Sequence, residues 1–319
     1  NILKEKVKEG IEVRIMYDDM GCIPYLPENY PKYLESLNIK CTVFNKLKIY
    51  NGIFMNNRDH RKITVIDGKI AYTGGLNFSD EYINKQSRFG YWKDNAIKLE
   101  GDSVWNLTVM FLTLWNSYHK EDDNYLKFKT PSNKTIEPNG YISCYGSVPL
   151  NGILEGEDVY LNIINKAINY VYITTPYLII DTDMINALIL AVKRGVDVKI
   201  IIPGIPDKKI VYELTNSYAK NLVENGVKVY TYTPGFIHSK IFVSDDNKAT
   251  VGTINLDYRS LYLHFENGVY LEDVNEIKDI HNDVKEIIKE SRQLTKKDVN
   301  YNIYRRLWQS ILRFFAPFF

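Results

Sequence analysis

The sequence predicts an α/β protein of two related lobes, each a mixed β-sheet flanked by helices, with the functional residues meeting between the lobes. Two observations predict it. A block of polar and glycine residues occurs twice with identical internal spacing. Each copy is preceded by the same order of helix-like and strand-like segments. A long-period repeat of this kind marks duplicated structural units, and strands alternating with helices mark α/β lobes.

The repeated block reads HRKITVIDGKIAYTGGLN from His60 and HSKIFVSDDNKATVGTIN from His238. His60, Lys62, Asp67, Gly74 and Asn77 fall on His238, Lys240, Asp245, Gly252 and Asn255 without a gap. The likeness continues upstream. KEGIEVRIMYDD, from Lys8, resembles KRGVDVKIIIPG, from Lys193, and SLNIKCTVF, from Ser36, resembles ENGVKVYTY, from Glu224. Each half therefore reads helix, glycine stop, strand, helix, strand, motif strand. Gly10 and Gly195 suit the position just past a helix C-terminus. IEVRIMY and VDVKIII carry the β-branched residues of strands.

The register also predicts a fragment. Asn1 aligns with Asn186, inside a helix. The second half has an earlier helix and strand, DVYLNIINKAINYVYITTPYLI, with no counterpart in the first. About 30 residues of the first lobe are expected to be lacking. The first lobe spans 1–125. The polar segment EDDNYLKFKTPSNKTIEPNG reads as a linker, the second lobe spans 141–295, and 296–319 form an amphipathic tail.

Composition narrows the function. Hydrophobic residues make up 45% and charged residues 25%, as in globular proteins. The net charge is +1, without the basic excess of non-specific nucleic-acid binders, so no nucleic-acid partner is expected. Cys22, Cys41 and Cys144 are too few and too scattered for a disulfide framework or a zinc site. No run of about 18 apolar residues is present, so no spanning helix is expected.

The motif carries chemistry. ITVI (63–66) and IFVS (241–244) read as strands. Alternation along a strand puts His60 and Lys62 on one face, and likewise His238 and Lys240. A lysine offers a point charge to a phosphate oxygen. An imidazole attacks phosphorus or moves a proton near neutral pH. Asn77 and Asn255, after their glycines, offer amide donors to the phosphate. One half supplies only one histidine. Displacement at a phosphodiester needs an attacking group and an acid opposite it, so the two halves together make one site. No metal and no cofactor are required. His119, His264 and His281 lie outside the repeat and read as ordinary packed or surface histidines. Asp67 and Asp245 are catalytic candidates by membership of the motif, and equally suit turn residues after the strand.

The paired motif resembles the two HKD motifs of the phospholipase D superfamily. NNRDHRKITVIDGKIAYTGGLNFSDEY, FGYWKDNAIKLEG, YITTPYLI and HSKIFVSDDNKATVGTINLDYRSLYLHFEN extend the resemblance to bacterial cardiolipin synthases over nearly the whole chain. The resemblance implies a phosphohistidine on His60 and an acid, then base, at His238, an order that the sequence itself does not decide. It also implies a carboxylate behind each histidine; by position after the motifs, Asp94 and Glu266 match. The implied reaction joins two phosphatidylglycerol molecules with release of glycerol. The implied partners are phosphatidylglycerol and anionic membrane lipid. The implied place is the cytosolic face of the cell membrane, with the anchoring N-terminal helices absent from this chain. A hydrolase or nuclease of the same superfamily and a non-catalytic lipid-binding protein stay open.

The tail supplies separate support for a lipid interface. Ile303, Leu307, Ile311 and Leu312 recur at roughly helical spacing beside Arg305, Arg306 and Arg313, with Trp308, Phe314, Phe315, Phe318 and Phe319. An ordinary helix packed on the domain is the alternative. NKLKIYNGIFMNNR, before the first motif, is an active-site loop or a second lipid contact.

Overall fold

A computed structural model describes residues 1–47, 54–120, 124–131, 140–149 and 151–318. The second lobe is organised around one eight-stranded mixed sheet. Its order is Ser291–Gln293, Lys228–Tyr232, Asp197–Pro203, Tyr170–Thr174, Ile241–Ser244, Lys248–Gly252, Glu266–Glu272, Tyr141–Ser147. Asp197–Pro203 runs parallel to both of its neighbours, and the remaining pairs are antiparallel. The central strands YVYIT and DVKIIIP are β-branched and aromatic on both faces, as strands covered on both sides must be.

Alternation splits the core in two. Val171, Ile173, Val198 and Ile200 face helices Glu155–Lys166, Thr182–Lys193 and Lys209–Glu224. Tyr172, Ile201, Val243 and Val251 face the other way, onto helix Glu276–Lys289. That second cluster takes in Ala71, Leu99, Val104 and Leu107 of the first lobe. The lobes thus share a core. Helix Thr182–Lys193 begins where Asp181 accepts a hydrogen bond from Met184 N at 2.9 Å. It ends at Gly195, which has a φ of +92°. Gly10, with a φ of +88°, ends helix Ile2–Lys8 in the same way.

The first lobe follows the same plan in two pieces. Arg14–Asp18 pairs in parallel with Lys40–Phe44. Separately, Thr64–Ile66, Ile70–Gly74 and Ala96–Glu100 form an antiparallel sheet. In the second lobe Tyr170–Thr174 joins the corresponding pieces, pairing with Asp197–Pro203 on one edge and Ile241–Ser244 on the other. Among the described residues of the first lobe no strand takes that place. The two-lobed α/β plan holds, but the single mixed sheet expected in each lobe is present only in the second.

Most of the expected linker, and 48–53 of the loop before the first motif, lie outside the described residues. Tyr141–Ser147 is an edge strand of the second lobe's sheet. The tail forms helix Ile303–Phe314, capped by the Asn302 side chain on Arg305 N at 2.9 Å. It buries Gln309 and Leu312. Arg305 Nε donates to Glu213 of helix Lys209–Glu224 at 2.9 Å. The opposite face leaves Tyr304 82%, Leu307 63% and Phe314 79% exposed, beside half-exposed Trp308 and Ile311. Tyr304, Phe314 and Phe318 are therefore not packed on the domain, and Phe319 lies outside the described residues. Among the described residues no helix is long and apolar enough to cross a membrane.

Candidate active site

Each motif histidine stands just before its motif strand, at the seam between the lobes. The seam is built by backbone pairing. Tyr91–Lys93 of the first lobe runs parallel to Gly235–Ile237 of the second, and Asp59 bridges to Phe265. His60 N donates to Phe265 O at 2.9 Å, and His238 N donates to Lys93 O at 2.7 Å. Phe265 and Lys93 immediately precede Glu266 and Asp94. Each histidine is thereby delivered to the carboxylate of the opposite lobe.

The side chains complete the crossing. His60 Nδ1 lies 2.9 Å from Glu266 Oε1 and 3.0 Å from Oε2. His238 Nδ1 lies 2.7 Å from Asp94 Oδ2. Both carboxylates are buried. Burial pushes the His60 imidazole down to about 3, with Lys62 pushing the same way and Glu266 opposing. Burial, then Lys240, brings His238 down to about 4. Burial works against ionising Glu266, but the His60 and His264 rings hold its carboxyl far below the usual range. Asp94 also outweighs its burial, through His238 and Lys240. Near neutral pH the rings are neutral and the carboxylates ionised. A neutral imidazole has one N–H, and an anion at Nδ1 fixes it there. The lone pair is left on Nε2, where an attacking or proton-accepting atom is wanted.

The lysines converge on the same space. Lys62 Nζ donates to His60 O at 2.6 Å, and Lys240 Nζ donates to His238 O. Lys240 is 1% exposed, an unusual fate for a lysine. Burial brings Lys62 down to about 8 and Lys240 down to about 7. Lys62 acts electrostatically on His238 and on Lys240, so the two motifs' charges share one centre. Asn77 Nδ2 donates to Tyr82 Oη at 2.5 Å, and the Tyr82 ring meets His238 edge-on at 5.2 Å. Asn255 is buried, and its Oδ1 has no partner among the described residues.

The two motifs differ at one informative position. Gly75 in the first lobe corresponds to Thr253 in the second. A Cβ on Gly75 would stand 2.0 Å from Asp94 Oδ1, so the carboxylate occupies the space of a side chain. In the second lobe the Thr253 hydroxyl donates to Glu266 instead.

Asp67 and Asp245 sit at the turn after each motif strand, at the end away from the histidines, with φ of +54° and +51°. The Asp245 carboxylate accepts from Ile168, Asn169 and Tyr170 N at 2.7, 2.9 and 2.9 Å. It anchors the entry to the central strand Tyr170–Thr174.

Arg58 was not singled out from the sequence, and His264, read there as an ordinary packed or surface histidine, instead stands in the site. Arg58 is buried and donates from Nε and Nη2 to Asp18, at 2.9 to 3.1 Å, tying the approach to His60 onto strand Arg14–Asp18. His264 lies against His60, with ring centroids 5.8 Å apart, and its Nδ1 is 3.7 Å from Glu266 Oε1. The signal was spacing: in extended chain, His264 and Glu266 point the same way. His119 and His281 are packed as expected, His119 stacked on Trp115 and His281 on Tyr170.

Residues 1–97 and 160–288 match the family model described as cardiolipin synthase, PLD-like domain. The chain belongs to this family. It is 48% identical over 318 residues to an uncharacterized protein of Streptococcus mutans, covering 99% of this chain and 69% of the relative. It is 39% identical over 319 residues to cardiolipin synthase 1 of Staphylococcus aureus strain COL, covering 99% of this chain and 64% of the relative. The chain thus spans roughly two thirds of these relatives' length. The fold is shared with phosphatidylserine synthase of Haemophilus influenzae Rd KW20, with a TM-score of 0.70, 14% identity, and coverage of 96% of this chain and 80% of that one.

Proposed function

We propose that this site transfers a phosphatidyl group from one phosphatidylglycerol to another, releasing glycerol and forming cardiolipin. The observation that carries the proposal is the crossed pairing of His60 with Glu266 and of His238 with Asp94 around Lys62 and the buried Lys240. His60 Nε2 attacks phosphorus. Lys62 and Lys240, with Asn77 and Asn255 beside them, hold the phosphate oxygens. His238 protonates the departing glycerol oxygen. It then takes the proton from a headgroup hydroxyl of the second lipid, which attacks the phosphohistidine and frees His60. The anionic diester offsets the lysine charge and the burial that keep His238 neutral, so substrate entry itself favours the acid form. Glu266 and Asp94 hold the rings' tautomers and stabilise the imidazolium. Asp67 and Asp245 support the motif strands from their turns.

The reaction takes place at the cytosolic face of the cell membrane. The exposed Tyr304, Leu307, Trp308 and Phe314 face, with Arg306 and Arg313 on the same helix, suits anionic lipid. The test is the product made by the purified full-length protein on phosphatidylglycerol vesicles. Cardiolipin and glycerol are expected; phosphatidic acid without cardiolipin would replace the transferase with a hydrolase.

A further inference from the structure

We propose that His60, His264 and Glu266 form a binding site for a divalent transition-metal ion of the zinc type, and that filling it switches the site off. The His60 and His264 imidazoles and the Glu266 carboxylate each present one donor atom, all within 4.8 Å of one another. The two separations from Glu266 lie on either side of the spacing a metal sets. Glu266 Oε1 is 2.9 Å from His60 Nδ1 and 3.7 Å from His264 Nδ1. Tetrahedral zinc, with bonds of about 2.0–2.2 Å, sets its ligand atoms roughly 3.3 Å apart. Rotation of the two rings is the movement that would bring all three to that spacing.

A second observation comes from His264 itself. Both ring nitrogens of His264 are shielded from solvent; Nε2 lacks a hydrogen-bond partner among the described residues, and Nδ1 has only the long 3.7 Å contact to Glu266. Buried polar atoms of this kind call for a partner, and an imidazole lone pair is a favoured ligand for zinc-type ions. Two imidazoles and one carboxylate, with the fourth position left open, is a donor set known to hold such a metal.

Switching off follows from the tautomer. Glu266 fixes the single proton of neutral His60 on Nδ1, leaving the lone pair on Nε2. A metal bound at Nδ1 needs that lone pair, so the proton moves to Nε2. No proton is gained or lost, but the attacking nitrogen is now an N–H. Glu266 is withdrawn at the same time. Lys62 and Lys240, held in the same centre, repel a dication, which makes the site one of moderate affinity, competing with the anionic substrate.

The loss of turnover rests on the proposed phosphoryl transfer; metal binding does not. Chelator-stripped full-length protein is titrated with Zn²⁺ alone by calorimetry, and cardiolipin formation is measured across the same concentrations. One Zn²⁺ per chain is expected, with the His264→Asn variant weakened at least tenfold both in binding and in the zinc concentration that halves turnover. Circular dichroism verifies the variant's fold, and His264→Gln takes its place if it does not fold. Equal zinc affinity in wild type and variant, or no binding, overturns the site. Stoichiometric binding with unchanged turnover overturns the switch. A protein that binds zinc and makes no cardiolipin without it refutes only the proposed function.

Discussion

Glu266, on the second lobe, holds the imidazole of His60, on the first, from 2.9 Å away. Asp94 does the same for His238 in the opposite direction. The backbone repeats the exchange, since the residue before each carboxylate accepts the amide of the opposite histidine. Neither motif therefore has a correctly held ring without the other lobe in place. Glu266→Gln tests what the charge contributes. Its amide preserves the shape but neither fixes the Nδ1 proton nor stabilises the imidazolium. The variant is expected to fold and to bind phosphatidylglycerol vesicles, with kcat reduced about 10²- to 10⁴-fold. Steady-state transfer beside vesicle sedimentation measures both, and a loss smaller than tenfold would contradict the role given to Glu266.

The lysines set the alkaline limit of activity. Burial brings Lys240 down to about 7 and Lys62 down to about 8, so both lose their charge in the alkaline range. The histidines, down to about 3 and about 4, become cationic only well below neutrality. The rate constant kcat/KM is expected to fall as pH rises through 7 to 8, as phosphate attraction disappears. The check is a profile from pH 5 to pH 10 at constant ionic strength. A flat profile to pH 10 would remove the lysines from substrate capture.

Much of this site was legible in the sequence. The duplicated strings located His60, Lys62, His238 and Lys240, because backbone chemistry repeats when a lobe is duplicated. The crossing was not legible, since which carboxylate reaches which ring depends on how the lobes dock. His264 stayed hidden for the same reason: outside the repeat, nothing local ties it to His60. The sheets were read correctly as α/β, but a strand's partners are set by distant residues. Joining a lobe's two halves into one sheet needs a central strand such as Tyr170–Thr174.

Burying Lys240 carries a stability cost. Its folded value lies below its ordinary one, so between about 7 and 10.5 the unfolded chain binds more protons than the folded one. Stability therefore rises with pH across that window, and the cost is largest below it. Lys240→Met is expected to melt higher than wild type at pH 6, by on the order of a few kcal/mol. The difference should shrink toward pH 10, and the variant should be inactive. Thermal melts at the two pH values decide it, and an advantage that grows with pH would reverse the sign and refute the assignment.

The tail's exposed face predicts a separable defect. Leu307→Glu combined with Phe314→Glu puts charge on the apolar side of the helix and leaves Leu312, Gln309 and the Arg305–Glu213 pair intact. Binding to phosphatidylglycerol vesicles is expected to drop at least about tenfold, from the loss of buried apolar surface. Turnover of a short-chain, water-soluble phosphatidylglycerol should stay near wild type. Unaltered vesicle binding would assign the face to something other than lipid.

Gly75 and Thr253 occupy matching positions but support their carboxylates in opposite ways, and substitutions there should have unequal costs. Alanine at Gly75 places a methyl 2.0 Å from Asp94 Oδ1, so the carboxylate must move and His238 loses its partner. Alanine at Thr253 adds no bulk and removes one hydroxyl donor from Glu266, which keeps its contact with His60. The expected losses in kcat are about 10²-fold or more for Gly75→Ala, by displacement of an orienting carboxylate, and about tenfold for Thr253→Ala, the worth of one hydrogen bond to a charged group. Steady-state kinetics of the two variants, with melting temperatures to verify folding, measure the ratio. If Thr253→Ala proves the more damaging, the space at Gly75 is not what holds Asp94 against His238.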